Sequence, residues 1–207
     1  MNYVLIALFS YLAGSLPSAW IAGKLRGTDI RAAGSGNVGA TNALRVLGPL
    51  PAALTLAADV GKGLLAVLVL SGWGGADPAW ARPLAGAAGV LGHVFPVWLK
   101  FRGGKGVAVG AAAAAAIAPW AALASLAAFA AAVALTRYVS LGSMSAAAAL
   151  PLAYLLAYRG AAFSPAAFGF CLAAAVLVLV LHRRNIGRLR RGQEPRLGET
   201  ATAGAPR

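Results

Sequence analysis

Charge is scarce in this sequence. Only 11% of its 207 residues are charged, against about a quarter in soluble domains. Carboxylates are scarcer still: five Asp and Glu stand against 18 Lys and Arg, for a net charge of +13. So few carboxylates, beside two histidines, argue against a metal site built from side chains, and no metal or other cofactor is expected. Cys171 is the single cysteine, so no intrachain disulfide can form. It sits in an apolar run and is read as packing. No Lys or Arg precedes the first apolar run, so the basic start of a signal peptide is missing and the run is read as uncleaved. The positive charge comes with no zinc-finger spacing and no aromatic-basic sheet pattern, which argues against nucleic acid as a partner.

What is abundant is apolar. Hydrophobic residues make up 60% of the chain, and they fall in runs long enough to span a bilayer. The expectation is an all-α, polytopic transmembrane helix bundle over residues 1–197, followed by a disordered tail at 198–207 rich in Gly, Ala and Pro. Spans are expected at Tyr3–Gly23, kinked near Pro17, then at Leu50–Leu70 and Arg82–Leu99. Further spans are expected within Val107–Thr136, then, after a polar turn marked by Arg137, Tyr138 and Ser140 to Ser143, at Met144–Tyr158, and at Pro165–Leu181. Ala85, Gly86, Gly89 and Gly92 give the third span a small face for close helix packing.

Basic residues set the topology, because cytoplasmic loops collect them. Lys24–Arg45, Lys100–Lys105 and the six arginines from Arg183 to Arg196 belong on one side. An even number of crossings must then lie between Lys105 and His182. Breaking Val107–Thr136 at Pro119 supplies it and gives seven spans, with the N-terminus outside and the C-terminus cytoplasmic. Val107–Ala118 is short for a crossing, so five spans satisfy the same parity. The seven-span reading leaves only Arg82 and Arg159 outside and Lys62 within a span.

Four polar islands then share the cytoplasmic face. The first, Gly34–Arg45, reads GSGNVGATNALR. Glycines let backbone N–H groups converge on an anion without Cβ clashes; Ser35, Asn37, Thr41 and Asn42 add donors, and Arg45 adds a fork suited to phosphate. The plainer reading is a turn in which Ser35 or Asn37 caps a following helix. The second island is Asp59/Lys62 in DVGKG, spaced i,i+3 on one helix face. The third is FRGGKG at Phe101–Gly106, and the fourth runs from His182 to Glu194. GGKG lacks the spacing and hydroxyl of a Walker motif, no GxSxG elbow is present, and neither histidine is followed by an aspartate at the spacing of an H-x-x-x-x-D pair.

GSGNVGATNALR, DVGKG, GHVFPVWLKFRGGKGVA and HRRNIGRLRRGQE, in this order, resemble the bacterial acyl-phosphate:glycerol-3-phosphate acyltransferase family, from Ser10 to about Glu194. The resemblance implies a multi-pass protein of the bacterial inner membrane with its active site at the cytoplasmic face. The reaction implied moves a fatty acyl group from acyl phosphate to the sn-1 hydroxyl of glycerol 3-phosphate, releasing 1-acyl-glycerol 3-phosphate and inorganic phosphate. It implies Ser35, Arg45, Lys105 and His182 as catalytic residues. It implies Asn37, Asn42, Lys62, Gly103, Gly104, Gly106, Asn185, Arg188 and Glu194 as substrate-binding residues, and the glycine and donor content of the first island adds Gly34, Gly36, Gly39 and Thr41. One departure exists: Val109 stands where the family often has threonine, so a hydroxyl is lost there.

The chemistry is coherent on its own terms. Acyl phosphate is a mixed anhydride with a good leaving group, so no covalent enzyme intermediate is required. The protein must hold two anions, align a hydroxyl on the acyl carbon and stabilise developing charge. The base is left open between His182 and a substrate phosphate, and His93 between a site role and a structural one. A transporter of phosphorylated anions is the alternative from another class, but its outer mouth would have little beyond Arg82 and Arg159. Expected partners are the two substrates and membrane lipid, with no obligate protein partner.

Overall fold

A computed structural model describes residues Asn2–Glu199. The tail expected to be disordered lies, beyond Glu199, outside the described residues. Among those described there is no strand, and ten α-helices follow one another. They are α1 (Asn2–Gly14), α2 (Ser18–Lys24), α3 (Ala40–Leu47), α4 (Pro49–Leu64) and α5 (Pro78–Val94), then α6 (Val107–Ile117), α7 (Pro119–Thr136), α8 (Val139–Ala157), α9 (Pro165–Leu181) and α10 (Arg183–Arg190). In lipid only internally bonded backbone is tolerated, which is why apolar runs of this composition fold as helices.

Prolines punctuate the bundle. Pro49, Pro78, Pro119 and Pro165 each open a helix at its first turn, where a missing N–H costs nothing. The Asp77 carboxylate accepts from the Ala79 N–H at 2.9 Å, and the Ser164 hydroxyl accepts from the Ala167 N–H at 3.3 Å. Pro17 separates α1 from α2, and the break at Pro119 separates α6 from α7, both as expected.

Among the described residues, four helical stretches are long and apolar enough to cross a membrane: Asn2–Lys24, Pro49–Gly75, Pro119–Thr136 and Val139–Ala157. A fifth is α9 taken with α10, bent by 51°. The helix at the third expected span, α5, is shifted and is not among these stretches. It starts at Pro78, capped by Asp77, and stops at Val94 because Pro96 cannot continue the helix. The span expected from Met144 starts earlier, at Val139. Ser140 and Ser143 read as turn residues, but the Ser143 hydroxyl donates back to the Val139 carbonyl at 2.9 Å and so sits within the helix. The basic segment after His182 also holds a helix, α10.

The small face of α5 packs on α1. A Cβ at Gly92 would stand 2.1 Å from the Tyr11 carbonyl oxygen, and one at Gly14 would meet the Gly89 carbonyl at the same distance. Backbones this close exclude any side chain. The main core joins Val67, Val90, Val109, Leu150, Tyr154, Phe170 and Cys171. Leu54, Leu68, Leu123 and Leu156 are exposed on the outer faces, as a bundle facing lipid requires.

Candidate active site

A cavity of about 720 Å³ opens where the polar islands meet. Its walls are helical stripes. α4 contributes Pro49, Ala52, Ala53, Leu56 and Val60; α7 contributes Ala122, Ser125, Leu126, Phe129 and Val133; α8 contributes Val139, Ser140, Ser143, Ala146, Ala147 and Leu150. Each follows the i, i+3/i+4, i+7, i+11 pattern of a single helix face. Eleven residues rise about 16 Å, close to one leaflet of a hydrocarbon core about 30 Å thick. The walls are nearly all apolar, and the polar residues gather at one end.

That end is built by three segments remote in sequence. Ser35, Asn37, Gly39, Thr41, Asn42 and Arg45 come from the first island, Lys105 and Gly106 from the third, and His182, Asn185 and Glu194 from the fourth. The first turns of α3 and α6 face the same space, and their N–H groups and dipoles favour an anion there.

Hydrogen bonds fix this ring. Lys105 Nζ donates to Asn185 Oδ1. Asn185 Nδ2 donates to Glu194 Oε1 at 2.6 Å, and Arg188 Nε donates to Glu194 Oε2 at 2.6 Å. Burial raises the Glu194 carboxyl, but the bonds from Arg188 and Asn185, with the Ser140 hydroxyl beside it, outweigh that and hold it below its ordinary value. Burial, reinforced by the Arg188 charge, pushes the Lys105 ammonium down to about 8. His182 is buried, and its Nδ1 lies 2.7 Å from the Val178 carbonyl oxygen. A carbonyl only accepts, so Nδ1 carries the proton and a neutral ring keeps its lone pair on Nε2.

The first island is held from within. Asn42 is buried; its Oδ1 accepts from the Ser35 N–H at 2.8 Å, and its Nδ2 donates to the Ile30 and Ala33 carbonyls at 3.0 and 3.1 Å. Gly34 and Gly36 take left-handed turns at φ +58° and +70°. They shape the loop but do not line the cavity. α3 is capped by Gly39 without a side-chain bond, so neither Ser35 nor Asn37 caps it.

Several expected site residues stand elsewhere. The Gly103 and Gly104 N–H groups are spent on the Val94 and His93 carbonyls, at 3.0 and 3.1 Å. They form no open nest, because the loop folds back onto the end of α5. Lys62 is buried off the cavity, bonded to Asp59 at 2.7 Å and to the Leu16 carbonyl at 2.7 Å. Arg188 sits behind Glu194. Asp59 and His93 reach the cavity wall, as do Ser140 and Ser143, which the sequence reading assigned to a turn. Among the described residues no group of three or more His, Cys, Asp or Glu is placed to hold a metal.

A family model described as "Glycerol-3-phosphate acyltransferase" matches residues 4–192. A glycerol-3-phosphate acyltransferase of Geobacter sulfurreducens is 44% identical over 196 residues, covering 95% of this chain and 98% of that one. One of Synechococcus elongatus is 42% identical over 206 residues, covering 96% of each chain. The crystal structure of PlsY, an integral membrane glycerol 3-phosphate acyltransferase, superposes in its glycerol 3-phosphate form with a TM-score of 0.87 at 35% identity, over 96% of both chains. Its lysophosphatidic acid form gives 0.84 over the same coverage.

Proposed function

The chain belongs to the glycerol-3-phosphate acyltransferase family, and from that premise we propose how its cavity carries the reaction. The protein is a multi-pass membrane enzyme that moves an acyl group from acyl phosphate to glycerol 3-phosphate, giving lysophosphatidic acid. The acyl tail lies along the apolar stripes of α4, α7 and α8, and the two phosphates lie in the ring of Arg45, Lys105, His182 and Asn185. The observation that carries this is the convergence of Arg45, Lys105 and His182 at the polar end of an otherwise apolar cavity.

The chemistry is a direct displacement. The sn-1 hydroxyl oxygen bonds to the acyl carbon, the bond from that carbon to the bridging phosphate oxygen breaks, and inorganic phosphate leaves. The hydroxyl proton passes to His182 Nε2 or to a phosphate oxygen. Lys105, Arg45 and the α6 N-terminus stabilise charge on the carbonyl and on the departing phosphate. Holding both reactants in one pocket supplies most of the rest.

The membrane arrangement we propose is seven crossings in the bacterial inner membrane, with the N-terminus outside and the site at the cytoplasmic face. Two contacts support it. Asn2 Nδ2 bonds the Gly74 carbonyl, so the start of α1 meets the turn after α4. The Trp120 N–H meets the Tyr158 hydroxyl at 3.3 Å, so the start of α7 meets the end of α8, away from the basic ring. Cysteines at positions 76 and 190 are expected to label from opposite sides; labelling from one side would overturn the arrangement.

Purified enzyme in detergent, given palmitoyl phosphate and glycerol 3-phosphate, is expected to release lysophosphatidic acid and inorganic phosphate in equal amounts. Comparable turnover with palmitoyl-CoA would overturn the donor assignment.

A further inference from the structure

A buried polar cluster stands beside the cavity with no step in the chemistry above. Asp59 and Lys62 on α4 pair at 2.7 Å, with side chains 3% and 7% exposed. The Ser18 hydroxyl donates to Asp59 Oδ1 at 2.9 Å. Lys62 Nζ donates to the Leu16 carbonyl at the break around Pro17, a carbonyl that also accepts from the Ser18 N–H at 3.1 Å. His93 Nδ1 lies 3.7 Å from the same Asp59 oxygen. A buried ion pair is weak evidence for a stabilising role, since well-packed apolar residues often replace one without loss, and charge within a membrane bundle is by default read as functional.

The far edge of the His93 ring shows what the cluster serves. A Cβ built on Gly104 would stand 2.1 Å from His93 Nε2, and one on Gly103 would stand 2.1 Å from the His93 carbonyl oxygen. With the two backbone bonds from this loop to His93 and Val94, the glycines lie flat against His93. The next residue is Lys105, whose ammonium reaches Asn185 across the mouth. A chain of contacts thus runs from the break in the first span, through Asp59 and Lys62, to the His93 ring and into the loop that carries Lys105.

We propose that Asp59, Lys62 and His93 are positioning residues: they form a bracket that fixes the Gly103–Lys105 loop, and so set the Lys105 ammonium where a substrate phosphate binds. This rests on the reading of the cavity as the acyl-transfer site. The bracket gives the glycines a reason other than access to phosphate. A side chain at 103 or 104 would push the loop off His93 and carry Lys105 away from the mouth.

The full-length enzyme in detergent tests this, with palmitoyl phosphate and glycerol 3-phosphate as substrates. Asp59→Asn with Lys62→Met removes both charges and keeps their size, so it leaves no lone buried ion. In the folded double variant the KM of at least one phosphorylated substrate is expected to rise about tenfold, the scale of one hydrogen bond to a charged group, with a smaller fall in kcat. A packing role would lower the melting temperature or the active fraction and leave both KM values alone; that result would overturn the proposal. The second arm does not depend on that variant folding. Gly104→Ala is expected to be nearly inactive, since its methyl group would stand 2.1 Å from His93 Nε2 and 2.9 Å from the Val38 carbonyl oxygen, and His93→Ala alone, with the glycines intact, is expected to raise the same KM as the double variant. His93→Ala with both KM values at the parent level would also overturn the bracket. Failure of the parent enzyme to make lysophosphatidic acid would instead count against the assigned reaction.

Discussion

The Arg45 guanidinium donates to the Pro195 carbonyl oxygen at 3.3 Å, across 150 residues of chain. Around this contact the last described segment straps the mouth of the cavity. The Leu197 N–H donates to the Arg137 carbonyl at 2.7 Å, and Arg137 returns a bond to the Leu197 carbonyl at 2.7 Å. Leu197 is itself part of the cavity wall. A neutral carbonyl is a weaker partner for a guanidinium than a phosphate oxygen, so Pro195 holds Arg45 in a place that an anionic substrate can take over.

Arg45→Lys tests whether the fork matters or only the charge. Lysine keeps the charge and gives up paired, planar donation. If Arg45 grips a phosphate, kcat/KM is expected to fall at least about tenfold, the worth of a charge-assisted hydrogen bond. Steady-state kinetics within twofold of the parent would reduce Arg45 to a tie for the C-terminal strap.

Lys105 is expected to set an alkaline limit on activity. Burial first, then the Arg188 charge, brings its ammonium down to about 8. The lysine is charged below that pH and neutral above it. Since kcat/KM reports the free enzyme, kcat/KM is expected to be full at neutral pH and to fall as pH rises through about 8. A bound phosphate favours the charged form, so the fall in kcat comes at higher pH. Lys105→Arg, charged throughout this range, is expected to flatten the profile. Lys105→Met is expected to cost about 1.5–3 kcal/mol, or roughly 10- to 150-fold in kcat/KM. A parent profile that stays flat past this range would show that Lys105 does not hold substrate as an ammonium.

Asn42 is expected to act through the loop's shape. Replacing it with alanine strands the buried Ile30 carbonyl and frees the Ser35 N–H, while the Ala33 carbonyl keeps its bond from the Gly36 N–H at 3.1 Å. A buried polar group left unpaired costs about 1–3 kcal/mol. Asn42→Ala is therefore expected to lower the melting temperature in detergent as well as the activity. Loss of activity with an unchanged melting curve would mean that the amide contacts substrate instead.

The breaks in this fold were legible because proline writes them locally. Pro17 and Pro119 stand where one helix gives way to the next, although Pro83 and Pro151 lie within α5 and α8 without ending them. The donor content of the islands was legible too, since Lys, Arg, His and Asn in glycine-rich settings point to anions. Direction was not legible. Nothing in GGKG shows that the Gly103 and Gly104 N–H groups turn inward to α5 while Lys105 turns to the cavity. DVGKG likewise does not show that Lys62 reaches the broken first span. The apolar cavity left no signal, because an alanine stripe lining a hole and one packed on a neighbour have the same sequence. Ser140 and Ser143 misled for a physical reason: serine favours turns in water, yet in a bundle its hydroxyl can satisfy itself on the preceding turn.

Ser35 tests the absence of a covalent intermediate. A serine nucleophile needs a base within hydrogen-bond reach and a third group to orient that base. Ser35 is exposed, and what Asn42 holds is its backbone N–H rather than its hydroxyl. His182 is oriented by the Val178 carbonyl, which leaves Nε2 free for a substrate hydroxyl. The donor also makes acylation of the enzyme unnecessary, since phosphate is already a good leaving group and the acceptor is held in the same pocket. Ser35→Ala is therefore expected to leave measurable turnover, reduced by the worth of a hydrogen bond or a lost alignment, about 0.5–1.5 kcal/mol or up to about tenfold. Intact-mass spectrometry of the enzyme mixed with palmitoyl phosphate alone is expected to show no added acyl group. A palmitoyl adduct mapping to Ser35, together with complete loss of turnover in the alanine variant, would replace direct attack with a two-step path through an acyl-serine.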